Sequence, residues 1–316
     1  MMRTFAIATL LTAIPAMAWA QDRLTAEEDY ALRQAVEASD NGREDEAVES
    51  LLLLRKAHPD DYAINYELGY ALMMKKDYAG AVRTFRALQS RKEADDLTYV
   101  MEGNALDYMG KRGDALRAYM KGLGRFPNSG RLMMEVGNIK LSDEQYEAAL
   151  EWYVRGMEAE PRFPSNYFRA AALLLNSSDT DGGLSAGEAF MMLSPIGDRS
   201  RTMSKMLSDA YGTLLAADTA EVKEQTELRR VTEKKSRLLD RGRGESASYA
   251  VGQRVRAVEE AIRAAGHWTA YCAWLTRMGD EAIFRGWMGF HENDLERFAE
   301  WFGSEGEKLI DREFGR

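Results

Sequence analysis

The 316-residue chain is acidic, with 51 Asp and Glu against 42 Lys and Arg for a formal charge of −9. That balance argues against nucleic acid and anionic membrane surfaces as partners, since both repel a negative protein. Cys272 is the only cysteine, so no internal disulfide can form, and six prolines with no alternating apolar and polar runs argue against sheets. An all-α chain held together by packing is expected.

The first twenty residues read as a secretory signal. Arg3 supplies the positive end, Phe5 to Ile14 is apolar, Pro15 breaks the run, and Ala18-Trp19-Ala20 is an A-x-A cleavage site. The run is shorter than the ~20 residues that span a bilayer, and no cysteine follows it to carry a lipid anchor. We therefore expect cleavage between Ala20 and Gln21, a charge of −10 once Arg3 is removed, and a periplasmic or secreted protein. No later stretch is apolar enough for stable membrane insertion. Residues 21–27 form a polar lead, in which Thr25 followed by Glu28 resembles a capping box opening the first helix.

From residue 28 the chain superimposes on itself with a period of 34, in blocks 28–61, 62–95, 96–129 and 130–163. The eighth position holds Ala35, Gly69, Gly103 and Gly137, and the twentieth holds Ala47, Ala81, Ala115 and Ala149. The twenty-fourth holds Leu51, Phe85, Tyr119 and Tyr153, and the thirty-second Pro59, Glu93, Pro127 and Pro161. A period of this length predicts a solenoid of helix pairs. Small residues let the two helices of a pair cross closely, the large residue fills the space to the next pair, and proline ends the second helix. One block cannot bury its apolar face alone, so stacking makes the core.

These residues resemble tetratricopeptide repeats. The likeness is clearest in Leu68-Gly69, Asp77-Tyr78, Ala81 and Phe85 of the second block. The fourth block matches through Gly137, Tyr146, Ala149, Tyr153 and Pro161. The aromatic fourth position is held by Ala31, Asn65, Tyr99 and Met133, a mild departure. The resemblance implies a concave face lined by the first helices, where a partner segment lies. Carried over by position, it assigns Tyr66, Tyr70, Met73, Met74, Asn104, Tyr108, Met134 and Asn138 to that groove. Asparagine offers a donor and an acceptor to a peptide backbone, and Tyr and Met make adaptable apolar contacts. The competing reading is that the chain's own C-terminal helices cover this face.

After residue 163 the register continues into a degenerate fifth repeat, 164–195, with Tyr167 and Ala171 in its first helix and Pro195 at its end. The solenoid is thus expected over 21–195. Between the two helices of this repeat, residues 177–188 resemble an EF-hand calcium loop. Asp179, Asp181 and Glu188 sit at ligand positions and Gly182 at the sharp turn, while Ser177 departs where an aspartate normally stands. The alternative is an Asp/Gly/Ser-rich turn, and we expect no metal.

Residues 196–316 show no period but read as helical. Met203, Met206, Leu207 and Tyr211 recur at spacings of three and four, residues 219–240 are mostly charged, and Val251, Val255, Val258 and Ile262 form another stripe. The last fifty residues concentrate aromatics, among them Trp268, Trp274, Trp287, Trp301 and Phe298. They are expected to form a small bundle that caps the solenoid.

Catalytic signals are sparse. Only His58, His267 and His291 could act as near-neutral acids or bases, and no nucleophile elbow, phosphate loop or zinc-protease motif occurs. His267, Cys272 and His291 match no compact zinc spacing. The expectation is a non-enzymatic interaction scaffold of the bacterial cell envelope, without cofactor, that binds a protein or peptide segment. Two alternatives are an aromatic C-terminal unit that binds a small molecule or catalyses, with the repeats as docking arm, and a self-associating component of an envelope assembly.

Overall fold

The computed structural model describes residues 24–177, 180–216, 249–279 and 281–315. The expected signal with its cleavage point, Asp179 and the charged stretch 219–240 lie outside them. Among the described residues every regular element is a helix. Contacts gather the chain into two compact units, residues 1–127 and 128–316.

The first unit holds α1 (Ala26–Asp40), α2 (Glu44–Ala57), α3 (Tyr62–Met74), α4 (Tyr78–Leu88), α5 (Asp96–Tyr108) and α6 (Arg112–Arg125). Each helix packs on the next, and the first helices of the pairs also touch, α1 on α3 and α3 on α5. The starts repeat with the sequence period. Asp61 accepts from Ile64 N (2.9 Å) and Asp95 from Thr98 N (3.2 Å), one block apart. Each satisfies an amide that the first helical turn leaves without a partner. α1 opens with the expected capping box: Thr25 Oγ1 accepts from Glu28 N (3.2 Å) and Glu28 Oε2 from Thr25 N (2.8 Å).

The turns inside the pairs repeat as well. Gly42, Lys76, Gly110 and Glu144 stand at one block position, and all have left-handed backbones, with φ of 73°, 67°, 74° and 58°. In three of the four blocks the next amide reaches back around the turn, Arg43 N to Ala38 O (2.8 Å), Lys111 N to Leu106 O (2.9 Å) and Gln145 N to Lys140 O (2.9 Å). A left-handed residue reverses the chain and lets such bonds close the helix end. Glycine adopts it freely, whereas Lys76 and Glu144 hold it against their Cβ atoms.

Between the helices of a pair, a ring fills the space left by a missing side chain. A Cβ on Gly69 would lie 2.7 Å from Phe85 Cζ, one on Gly137 2.5 Å from Tyr153 Cε1, and one on Gly103 closer still to Tyr119. The alanines at the twentieth position, Ala47, Ala81, Ala115 and Ala149, are fully buried. Polar atoms inside the first unit are matched: the buried carboxylate of Glu102 accepts from Arg86 Nε (2.8 Å) and from Gln89. Pairing of this kind avoids the cost of a buried unmatched charge.

The second unit begins with the pairs α7 (Gly130–Ser142), α8 (Tyr146–Ala159) and α9 (Pro164–Leu174), α10 (Thr180–Leu193). Then follow α11 (Asp198–Ala216), α12 (Tyr249–Ala264), α13 (Trp268–Thr276) and α14 (Glu281–Trp301). α14 breaks at His291 (φ −135°, ψ 22°), and a π-helical turn, Phe302–Gly306, leads into α15 (Glu307–Phe314). One core runs from Ala149 and Tyr153 through Phe190, Leu207 and Val255 to Tyr271 and Phe314. This core takes residues from both sides of position 195. The physical reason is α10, buried at every residue from Gly182 to Met192 and packed on α9, α11 and α12. A helix apolar all round needs cover on every side, so the helices beyond 195 complete the fifth pair. α15 closes the other edge, where Phe314 meets Tyr167 edge-on (6.1 Å between centroids) and Asp311 pairs with Arg162.

Gly110 isolates the turn effect, because a Cβ there would meet nothing within 4 Å. Gly110→Ala is expected to cost about 1 kcal/mol through backbone strain alone. Urea denaturation should register the loss as a lower midpoint with an unchanged slope.

Candidate partner-binding face

On the first unit, the residues assigned to the first-helix face differ in exposure. Tyr108 is 66% exposed and Met74 40%, and Tyr66 and Tyr70 are half-buried. Met73, expected to line the face, is 5% exposed and belongs to the core. It sits on α3 one turn beyond the buried Gly69 and so shares its inward face. The rings are braced. Tyr66 stacks on Tyr62 (6.0 Å between centroids) and meets Phe85 edge-on (5.6 Å). Tyr108 at the end of α5 stacks on Tyr78 at the start of α4 (5.2 Å). Tyr62 is itself fixed by a 2.8 Å hydrogen bond between its hydroxyl and Thr98 Oγ1. Rigid aromatic surface with reachable hydroxyls suits a partner, because little side-chain entropy is lost on contact.

The two asparagines have another task. Asn104 Oδ1 accepts from Tyr119 Oη (2.7 Å), and Asn138 Oδ1 accepts from Tyr153 Oη (3.0 Å). Both tyrosines are core residues, exposed by 2% or less. The carbonyls expected to meet a peptide backbone are thus engaged by the repeat's own packing. Burial pushes the Tyr153 hydroxyl up to about 12, so it remains a neutral donor. Alanine at 104 would leave a buried hydroxyl without its acceptor, at roughly 1–3 kcal/mol. It would weaken the fold as well as alter the face.

A residue that sequence reasoning passed over is Glu67. It lies on α3 between Tyr66 and Leu68 and is half-buried. Burial, with the nearby charge of Asp40 second, raises its carboxyl to about 7. The same three residues are coupled again at Tyr70, whose hydroxyl is pushed up by burial and then by Asp40 and Glu67. The first-unit face therefore changes charge near neutrality.

On the second unit the equivalent positions are partly closed. Met134 and Leu141 pack against its core, and Asn138 also donates to Glu135 Oε2 (2.9 Å). Phe168 lies under the guanidinium of Arg199 on α11 (4.6 Å to the ring centroid), and Arg199 also donates to Ser165 Oγ (3.0 Å).

The calcium-loop reading gives way to helix. α10 starts at Thr180, so Asp181 and Glu188 stand two turns apart on it rather than around a loop. Asp181 is exposed, whereas Glu188 is fully buried and accepts from the Tyr211 hydroxyl. Among the described residues no group of three His, Cys, Asp or Glu could hold a metal ion. His267, Cys272 and His291 are likewise kept apart. Cys272 is fully buried, His267 packs on Trp301 (5.4 Å) and Phe298 (6.2 Å), and His291 on Trp287 (4.9 Å).

A family model described as tetratricopeptide repeat matches residues 32–96 and 100–159. Among solved structures, MamA residues 41 to the end from Desulfovibrio magneticus RS-1 is 18% identical. The match covers 56% of this chain and 99% of that one, with a TM-score of 0.42. TTC0263, a thermophilic TPR protein in Thermus thermophilus, is also 18% identical over 57% of this chain and 98% of its own, with a TM-score of 0.47. A comparison with curated proteins gives no match.

Glu67 supplies a pH test. Its carboxyl is raised from 4.5 to about 7 in the fold. The native state therefore holds this proton more tightly than the unfolded chain does. Its contribution is complete below the unfolded value, near 4.5, and is lost as pH climbs through about 7. Glu67→Gln, which imitates the protonated form, is expected to match the parent near pH 4.5 and exceed it at pH 8 by on the order of 1–2 kcal/mol. Denaturation of both proteins across this range measures the difference. A gap that does not change with pH would show that Glu67 titrates normally.

Proposed function

The chain belongs to the tetratricopeptide-repeat superfamily through residues 32–96 and 100–159, and on that premise we propose that it is a non-enzymatic adaptor of the bacterial cell envelope. The fold is a protein–protein interaction scaffold. In this reading, a segment of another protein lies on the first-helix face, held by Tyr66, Tyr70, Met74 and Tyr108 of the first unit. The supporting observation is the exposure of Tyr108 and Met74 beside braced, half-buried tyrosines. Large apolar side chains left open on a rigid surface are the usual mark of a contact site.

The envelope assignment rests on the charged, apolar and small-residue pattern of residues 1–20. Among the described residues no helix is long and apolar enough to cross a membrane. The aromatic rings of the C-terminal helices interlock with one another, as Tyr271, Trp274, Phe298 and Phe302 do at centroid distances of 5.5–6.1 Å. This supports a packing role for them.

The test exchanges residues whose truncation spares the core. A Met74→Ala/Tyr108→Ala variant should fold with the parent's stability to within ~0.5 kcal/mol, as surface substitutions do. Capture of partners from an envelope extract is expected to fall at least tenfold. Equal recovery of the same partners by parent and variant would remove this face from the proposal.

A further inference from the structure

A second feature of the first unit lies away from that face, between the second helices α2 and α4 with α3 as floor. It is a cleft of about 550 Å³, within the range of small-molecule sites. The floor is apolar: Leu68 is fully buried, Val48 nearly so, and Leu72 lies beside them, with Leu52 at the mouth 42% exposed. In a chain of net charge −9 the rim is cationic, with Arg55, Lys75, Arg83 and Arg91 against only Asp60 and Asp77. Both carboxylates are already engaged. Asp60 pairs with Arg91, and Asp77 accepts from Gly80 N (2.9 Å) as the cap of α4. Lys75 pairs with Asp45 (2.6 Å). Arg55 on α2 and Arg83 on α4 are different. Neither has an ion-pair or hydrogen-bond partner among the described residues, and they stand on opposite walls of the apolar floor.

We propose that this cleft binds a small amphiphilic carboxylate, its head group between Arg55 and Arg83 and its apolar body on Leu52 and Leu72. Two guanidinium forks offer the paired donors that a planar carboxylate accepts. The accessible surface of Leu52 and Leu72 is released from water when the apolar body seats. A cation of the same shape meets Arg55 and Arg83, whose charges no neighbouring carboxylate balances, and is rejected. None of the partner-face residues Tyr66, Tyr70, Met74 and Tyr108 lines the cleft, so the two can be occupied together.

Isothermal titration of the full chain with decanoate, kept below its micelle concentration, tests this. Decyltrimethylammonium serves as the control of similar tail and opposite charge. Decanoate is expected to bind saturably and decyltrimethylammonium at least tenfold more weakly. Arg55→Gln and Arg83→Gln, neither at a buried position, should each weaken decanoate about tenfold. Absence of decanoate binding, equal affinity for the two amphiphiles, or undiminished binding in the double variant would overturn the proposal. Binding of a ten-residue poly-glutamate peptide without binding of decanoate would also overturn it and assign the cleft to an acidic protein segment.

Discussion

The aromatic ring at the twenty-fourth position of a repeat can reach its partner helix only because the residue it meets there has no side chain. Phe85 over Gly69, Tyr119 over Gly103 and Tyr153 over Gly137 are the same contact repeated. It sets how closely the two helices of a pair approach, and hence the pitch at which one pair presents its face to the next. The contact also has a consequence for the surface. A phenylalanine ring ends in carbon and makes no demand, but a tyrosine ends in a hydroxyl that must find an acceptor. Where the ring is tyrosine, the residue after the glycine is asparagine, and its carbonyl meets that hydroxyl. Where the ring is Phe85, the corresponding residue is Tyr70, free to serve the face. Packing inside the repeat thus decides which surface positions are left for a partner.

Much of this was legible in the sequence because it is periodic. The period placed the helix pairs, and it carried the caps Asp61 and Asp95 and the turn residues Gly42 and Gly110 along with it. Lys76 and Glu144 show the limit. Their left-handed backbones are dictated by the period, although neither residue type advertises such a conformation. The bond from tyrosine to asparagine is in principle readable, since asparagine stands at the ninth block position only where the ring is tyrosine. The asparagine stands at a face position and the tyrosine at a core position, so the bond joins two sets of positions that the period keeps apart.

Other features depend on three-dimensional neighbours that no local pattern encodes. Glu188 looks like a ligand in a polar loop, yet the glycines and serine around it fold into a helix. The close fit of Gly183 against Leu175 and Gly187 against Leu207 and Met203 then places that helix at the centre of the second core. The residues beyond 195 belong to that core for the same reason. The raised carboxyl of Glu67 likewise follows from burial beside Asp40, a residue far away in sequence. The cationic cleft arises in a similar way. Its positive charges come from two helices and two inter-helix segments, and only the carboxylate partners of Lys75 and Arg91 reveal that Arg55 and Arg83 are left over.

The central claim is that a partner lies on the first-helix face of the first unit. Site-specific photocrosslinking in the envelope tests it most directly, with a photoreactive phenylalanine analogue placed at position 108 or at position 53. Tyr108 and Leu53 are equally exposed, at 66% each, and Leu53 sits on the second helix α2. The account predicts a discrete crosslinked adduct from position 108 and none from position 53. Adducts from 53 alone, or the same adducts from both, would contradict it.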